Sequence, residues 1–199
     1  MRRQDIQMET KIREAKAALR KQVRGELKKM TPEEQSAASA RGRTMLQEQS
    51  LWKESRSVLF FAPLQGELDI LPLVTEALSA GKLVALPRFD AEANGYIACQ
   101  IKDLMQDVRT GYLGIREPVE RCNKATVDRL DLILVPGVAF DLHGHRLGRG
   151  KGCYDQLLTI LRGVTCGVAF DRQIVDQIPV APHDITLHYI LTPSRWIQV

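Results

Sequence analysis

Residues 130–161 place a strand, a glycine-rich turn with two cations and a helix start in direct succession. Residues 130–135 are apolar except for Asp131, and residues 147–155 read Leu-Gly-Arg-Gly-Lys-Gly-Cys-Tyr-Asp. Apolar residues over 154–161 then recur at helical spacing. Glycines let the backbone turn with positive φ and bring N–H groups close to an anion. A helix start adds free N–H donors and the positive end of its dipole. The segment reads as an anion cradle, and it ties the chain to folds that present such a loop at the carboxyl end of a strand.

The rest of the chain fits that frame. Ile12, Ala15, Leu19, Val23, Leu27 and Met30 recur every three or four residues, which predicts one long amphipathic helix. Thr31 as N-cap, Pro32 at the first helical position and Glu34 closing a capping box predict a second helix, to about Gln49. Residues 57–62 and 82–87 are apolar runs of strand length; Asp69 and Gly81 bound a helix between them, giving a β-α-β unit. Alternation over 95–101 predicts a half-exposed strand, and residues 102–129 read as long loops with room for a short helix. Residues 131–135, 164–169 and 190–192 complete the strands. The expected fold class is α/β: three layers, α/β/α, around a mainly parallel open sheet, with an N-terminal helical segment, all one domain over residues 1–199.

Composition sets limits. A 44% apolar and 26% charged chain has the balance of a soluble protein, and no apolar stretch approaches the ~20 residues of a membrane span. The N-terminus has no apolar signal region, so a cytoplasmic location is expected. Cys99, Cys122, Cys153 and Cys166 show neither a C-x-x-C pair nor metal spacing and read as reduced thiols. Residues 1–30 carry ten cations against four acids. A solvated helix face explains most of them, and a polyanionic small molecule would use the same field. No aromatic residue is interleaved, so no nucleic acid is expected, and nothing calls for an obligate protein partner. Trp52 and Trp196 read as packing residues. His143 and His145 supply only two local metal ligands and read as loop residues near the anion, while Asp141 reads as a turn former.

Two standard phosphate motifs fail on this loop. A Walker A loop needs a hydroxyl residue after Gly-Lys, but Gly152 follows Lys151; in G-x-G-x-x-G the third glycine would come one residue later. Arg149 and Lys151, set between glycines, still point to charge neutralisation of a ligand.

The segment 130–155 as a whole, Leu-Asp-Leu-Ile-Leu-Val-Pro-Gly-Val-Ala-Phe-Asp-Leu-His-Gly-His-Arg-Leu-Gly-Arg-Gly-Lys-Gly-Cys-Tyr-Asp, resembles the signature of the 5-formyltetrahydrofolate cyclo-ligase family. Five further elements fall in family order: Lys16-Ala-Ala-Leu-Arg20, Glu67, Leu86-Pro87-Arg88, Gly114-Ile-Arg-Glu-Pro118, and Ile178-Pro-Val180 with His183-Asp184. The resemblance implies an enzyme that uses ATP and Mg²⁺ to convert 5-formyltetrahydrofolate to 5,10-methenyltetrahydrofolate, releasing ADP and phosphate. The formyl oxygen would attack the γ-phosphate, and N10 would close on the activated carbon before phosphate leaves. Catalysis of this kind is mostly positioning and charge stabilisation.

By the same resemblance, Arg149 and Lys151 would be catalytic. Lys16, Arg20, Arg146, Gly148, Arg149, Gly150, Lys151, Gly152 and Tyr154 would bind ATP. Glu67, Arg149, Lys151 and Cys153 would contact the folate, and Asp155 would hold Mg²⁺. The chain departs from the family pattern in three places: Cys153 replaces a tyrosine, Ile70 a common threonine, and His188 an acid associated with a second magnesium contact. Neutral imidazole is a poor magnesium ligand, so no metal role passes to His188. Two other readings stay open from sequence: a family member that binds folate or nucleotide without turnover, and a basic RNA-associated protein using the N-terminal helix.

Overall fold

The computed structural model describes residues 3–92, 94–126, 130–150, 152–181 and 184–199. The N-terminal half contains α1 (Arg3–Leu27), α2 (Pro32–Glu48), α3 (Ser50–Glu54), β1 (Ser57–Leu59), α4 (Leu71–Ser79), β2 (Leu83–Asp90) and β3 (Gly95–Ile101). Next come β4 (Val108–Thr110), β5 (Arg116–Pro118), β6 (Leu132–Pro136), β7 (Ala139–Asp141) and β8 (Arg146–Leu147). The chain ends with α5 (Cys153–Ile160), β9 (Val164–Val168), β10 (Ile174–Val175), β11 (Tyr189–Leu191) and β12 (Trp196–Gln198).

Seven strands form the main sheet in the order β12-β11-β9-β6-β1-β2-β3. The five inner strands are parallel, and the two edge strands pair antiparallel. Successive residues of each strand face opposite layers, as the pleat requires. Val58, Val84, Leu86, Leu132, Leu134, Cys166 and Val168 pack with the buried faces of α2, α3 and α4. Leu59, Ala85, Ile133 and Val135 pack on the other side, with Leu157, Leu158 and Leu161 of α5 and its end. This is the expected three-layer α/β architecture with a mainly parallel sheet.

Local signals held where they were strongest. The Thr31 hydroxyl accepts from the Glu34 N–H at 3.2 Å, and the Glu34 carboxylate accepts from the Thr31 N–H at 2.9 Å. Gly81 ends α4 at φ +74°, with the Lys82 N–H reaching Ala77 O. Asp69 accepts from the Leu71 N–H at 3.0 Å, although Ile70 is the residue at the cap. Ile70 is fully buried, which gives its apolar side chain a packing role. Trp52 packs edge-on against Phe60, and Trp196 stacks on Tyr189 at 4.9 Å.

Several elements differ from expectation. β1 stops at Leu59, because residues 60–62 leave the ladder at its carboxyl end. β3 is not half-exposed: Ala98, Cys99 and Ile101 are buried, since α5 packs against this edge strand and Cys99 and Ile101 join a cluster with Val108 and Cys122. Within 102–126 the chain forms the β4–β5 ribbon and a 3₁₀ turn at Tyr112–Gly114. A second sheet, β10-β7-β8, was not foreseen, and neither was β12. α1 lies on that second sheet through Val23 and Leu19, which meet Val138, Ala139, Leu147 and Ile178. Among the described residues no helix is long and apolar enough to cross a membrane. Cys99, Cys122 and Cys166 are free and buried.

Candidate active site

A cavity of about 360 Å³ opens at the carboxyl ends of the parallel strands, where ligands of open α/β sheets bind. Phe61 and Ala62 after β1, Pro87 of β2 and Pro136 at the end of β6 form its floor. Leu64, Tyr96, Ile115 and Tyr154 add apolar wall, and Glu67, Arg146, Gly148, Arg149, Gly152 and Asp155 add polar groups. Seven of the expected site residues are therefore gathered in one place, although they come from separate loops and helices.

The glycine-rich loop is shaped by its backbone. Gly150 has φ +101° and Gly152 φ +70°, conformations that side chains with a Cβ rarely adopt. Gly152 is the N-cap of α5 and has no side chain with which to cap the first N–H groups of that helix. An anion can satisfy them. Gly137 makes room on the other flank: a Cβ there would come within 2.6 Å of the Phe140 ring and 3.1 Å of the Arg146 stem.

Arg146 is buried. It donates to Pro136 O at 3.2 Å, pairs with Asp155, and lies 5.9 Å from the Tyr154 ring centroid. The Asp155 carboxylate, about one-third exposed, is thus oriented from one side and open on the other. Burial pushes the Tyr154 phenol well above its ordinary value, and the charge of Glu67 adds to the rise, so the ring is a neutral wall. Arg149 pairs with Glu67 through Nε (3.1 Å) and Nη2 (2.8 Å), both to Oε1, while Glu67 Oε2 accepts from the Leu64 N–H.

Two further expected residues come from α1. Arg20 Nε donates to Gly148 O at 2.8 Å, and its guanidinium carbon is 3.6 Å from where a Gly150 Cβ would be. Burial lowers the Arg20 pKa, and the charge of Arg24 adds to the fall. Lys16 does not line the cavity; its ammonium pairs with Asp184, which also accepts from the Ala181 N–H. Lys151 and the Cys153 side chain lie outside the described residues.

The histidines correct the expectation. His143 and His145 occupy the β7–β8 turn and do not line the cavity. His145 Nδ1 is 3.0 Å from Asp141 Oδ2. Asp141 is fully buried and accepts from the backbone of His143, His145 and Ile178, so its expected turn-forming role holds. His188 bonds to Thr165 near the start of β9, at the amino end of the parallel strands. The sheet therefore separates it from the cavity, and the departure at this position does not touch the site. Among the described residues, no group of three or more His, Cys, Asp or Glu side chains is arranged to hold a metal. Sequence reasoning gave no site role to Arg24, Tyr96 or Gly137, and named Asp184 only within a family-order element; of the first three, Arg24, four residues beyond Arg20 on the same helix face, carried a readable signal.

By fold and site, the chain is an open-sheet α/β protein with an arginine-lined cavity across the carboxyl edge of its sheet. The profile of the 5-formyltetrahydrofolate cyclo-ligase family matches residues 12–193. The 5-formyltetrahydrofolate cyclo-ligase of Escherichia coli K12 is 31% identical over 177 residues, covering 87% of this chain and 97% of that one. The mouse enzyme of the same name is 28% identical, covering 90% and 94%. The NMR structure of Aquifex aeolicus 5,10-methenyltetrahydrofolate synthetase superposes with a TM-score of 0.83 at 34% identity, covering 92% of each chain. A Mycoplasma pneumoniae 5,10-methenyltetrahydrofolate synthetase at 21% identity shares the fold, with a TM-score of 0.71 over 89% of this chain and 98% of that one. The chain belongs to the 5-formyltetrahydrofolate cyclo-ligase family, a family of enzymes.

Proposed function

We propose that this chain cyclises 5-formyltetrahydrofolate to 5,10-methenyltetrahydrofolate with ATP as co-substrate and Mg²⁺ as cofactor. The observation that carries the reading is a cavity in which an apolar slot meets both a carboxylate, Glu67, and the arginine–glycine loop. A flat heterocycle with N–H donors suits the slot between Tyr96, Ile115 and Tyr154, with Glu67 as acceptor. The nucleotide phosphates suit the loop over 148–152 and the start of α5 at Gly152, with Arg149 and Lys151 opposing the charge of the transferred group. Arg20 braces the loop from α1, while Lys16 on the same helix is held by Asp184.

In the proposed reaction the formyl oxygen attacks the γ-phosphorus and ADP departs. N10 then attacks the activated carbon, loses its proton, and phosphate leaves. One carboxylate beside phosphate-binding amides suits Mg²⁺, which takes only one or two protein carboxylates and completes its shell with phosphate and water oxygens. When bound, the ion would neutralise phosphate charge. Asp155 would hold it, and Arg146 would fix the Asp155 rotamer.

The test is to mix protein, MgATP and 5-formyltetrahydrofolate and follow the methenyl chromophore together with ADP. Both should appear in equal amounts, and neither should form with Lys151→Ala. ADP without chromophore, or folate binding without either product, would overturn the reading.

A further inference from the structure

Lys16, Arg20 and Arg24 repeat every four residues along α1, so they stand on one face about 6 Å apart along its axis. Their commitments differ. Lys16 is held by Asp184, and Arg20 by the Gly148 carbonyl. The other described arginines of the cavity are also engaged: Arg146 by Asp155 and Pro136 O, Arg149 by Glu67. Arg24 lines the same cavity, is exposed, and has no partner for its guanidinium among the described residues. It is the one described cation there whose charge is not already spent on the protein. The guanidinium fork matches a carboxylate in a bidentate pair.

Its position indicates which anion it meets. Arg20 abuts the glycine-rich loop, and Arg24 lies one turn further on, on the side away from Lys16. At about 360 Å³ the cavity is near the lower end of the ~300–1,000 Å³ range of ligand pockets. Such a space encloses a bicyclic ring beside Glu67 but not a whole folate with its aminobenzoyl and glutamyl parts. The anionic end must therefore leave through the mouth. Resting on the function proposed above, we propose that Arg24 is a specificity-determining residue that binds the glutamyl carboxylates of the folate substrate at the mouth of the cavity.

The experiment is calorimetric binding, which needs no turnover, on wild type and Arg24→Gln. The probes are 5-formyltetrahydrofolate, its glutamate-free pteroate analogue, and a non-hydrolysable MgATP analogue. The variant should bind the folate about tenfold more weakly, the loss of one charge-assisted pair, with pteroate and nucleotide affinities unchanged. Arg24→Lys should recover part of the loss. Equal weakening for folate and pteroate, a loss confined to the nucleotide, or no loss at all would each overturn the role. A wild type that binds no folate would overturn the proposed function and the Arg24 role together. A wild type that binds folate normally beside an unaltered variant would overturn the Arg24 role alone.

Discussion

Arg149 and Glu67, 82 residues apart in sequence, are paired at the cavity wall through two hydrogen bonds onto the same carboxylate oxygen. Glu67 is nearly buried, while Arg149 is close to half exposed. The first is proposed to face the folate ring and the second the phosphates, so each ligand competes for a group the other half of the site is using. A triphosphate that draws Arg149 away leaves Oε1 of Glu67 free to accept from a ring donor.

Nucleotide should therefore strengthen folate binding. In wild type a non-hydrolysable MgATP analogue is expected to tighten 5-formyltetrahydrofolate binding about fivefold, the lower end of ordinary coupling between sites. Glu67→Gln should bind folate more weakly and lose the coupling, because its amide is not a charged partner for Arg149. Equal folate affinity with and without nucleotide in wild type would sink this account.

Arg146 makes a second prediction. Its buried guanidinium spans Pro136 O and Asp155, a geometry that a lysine ammonium cannot reproduce with one point of donation. Asp155 is partly hydrated, so the cost of Arg146→Lys should be modest, about 1–2 kcal/mol in denaturant unfolding. The half-saturating Mg²⁺ concentration for turnover should rise severalfold, since the carboxylate loses its fixed orientation. A stability loss with an unchanged Mg²⁺ dependence would show that Arg146 serves the fold alone.

What could be read from sequence followed the range of the interactions. The capping box at Thr31 and Glu34, the Gly81 helix end and the positive-φ glycines Gly150 and Gly152 are specified by neighbours within a few residues, and each appeared where expected. The second sheet was not readable, because β8 and β10 are two residues long and β10 reaches β7 from more than thirty residues away. Periodicity needs more residues than that to register. Site residues could be named individually, but their mutual pairing, Arg149 with Glu67 and Arg146 with Asp155, exists only once loops from different strands meet. The two histidines near the loop in sequence misled for the same reason: the β7–β8 turn carries them away from the cavity.

Asp141 is the anchor of that turn. Burial alone would raise its pKa, but hydrogen bonds from Ile178, His145 and His143 hold it below the ordinary 3.8. A depressed carboxyl stabilises the fold above its unfolded pKa and loses that contribution as pH falls through the folded value. Asp141→Asn should cost about 1–3 kcal/mol at pH 7 by weakening acceptors for buried N–H groups. In urea titrations the gap from wild type should stay level down to about pH 5 and narrow only below about pH 4. A gap that does not narrow below pH 4 would show that the Asp141 charge is not what the turn depends on.

Glu117 has the opposite sign. It is buried beside the 3₁₀ turn at Tyr112–Gly114; Oε2 accepts from the Tyr112 N–H at 3.3 Å, and Oε1 has no hydrogen-bond partner among the described residues. Burial pushes its pKa above the ordinary 4.5, and hydrogen bonds from Phe89 and Tyr112 and the charge of Arg88 offset this only in part. A raised carboxyl binds its proton more tightly in the folded state. Its contribution to stability is therefore complete below pH 4.5 and is lost as pH rises through the folded value. Glu117→Gln keeps an oxygen for Tyr112 and removes the charge, so it mimics the protonated form at every pH. The variant's Tm relative to wild type should be highest at pH 7.5 and should fall by about 2–4 °C as pH is lowered to 4.5, the equivalent of ~1 kcal/mol for a chain of this size. Tyr112 stacks on Phe89 at 4.0 Å and the same turn carries Ile115 to the cavity wall, so folate affinity should be retained in the variant. A difference in Tm that is flat or that grows toward acid would mean that Glu117 is not carrying a buried charge at neutral pH.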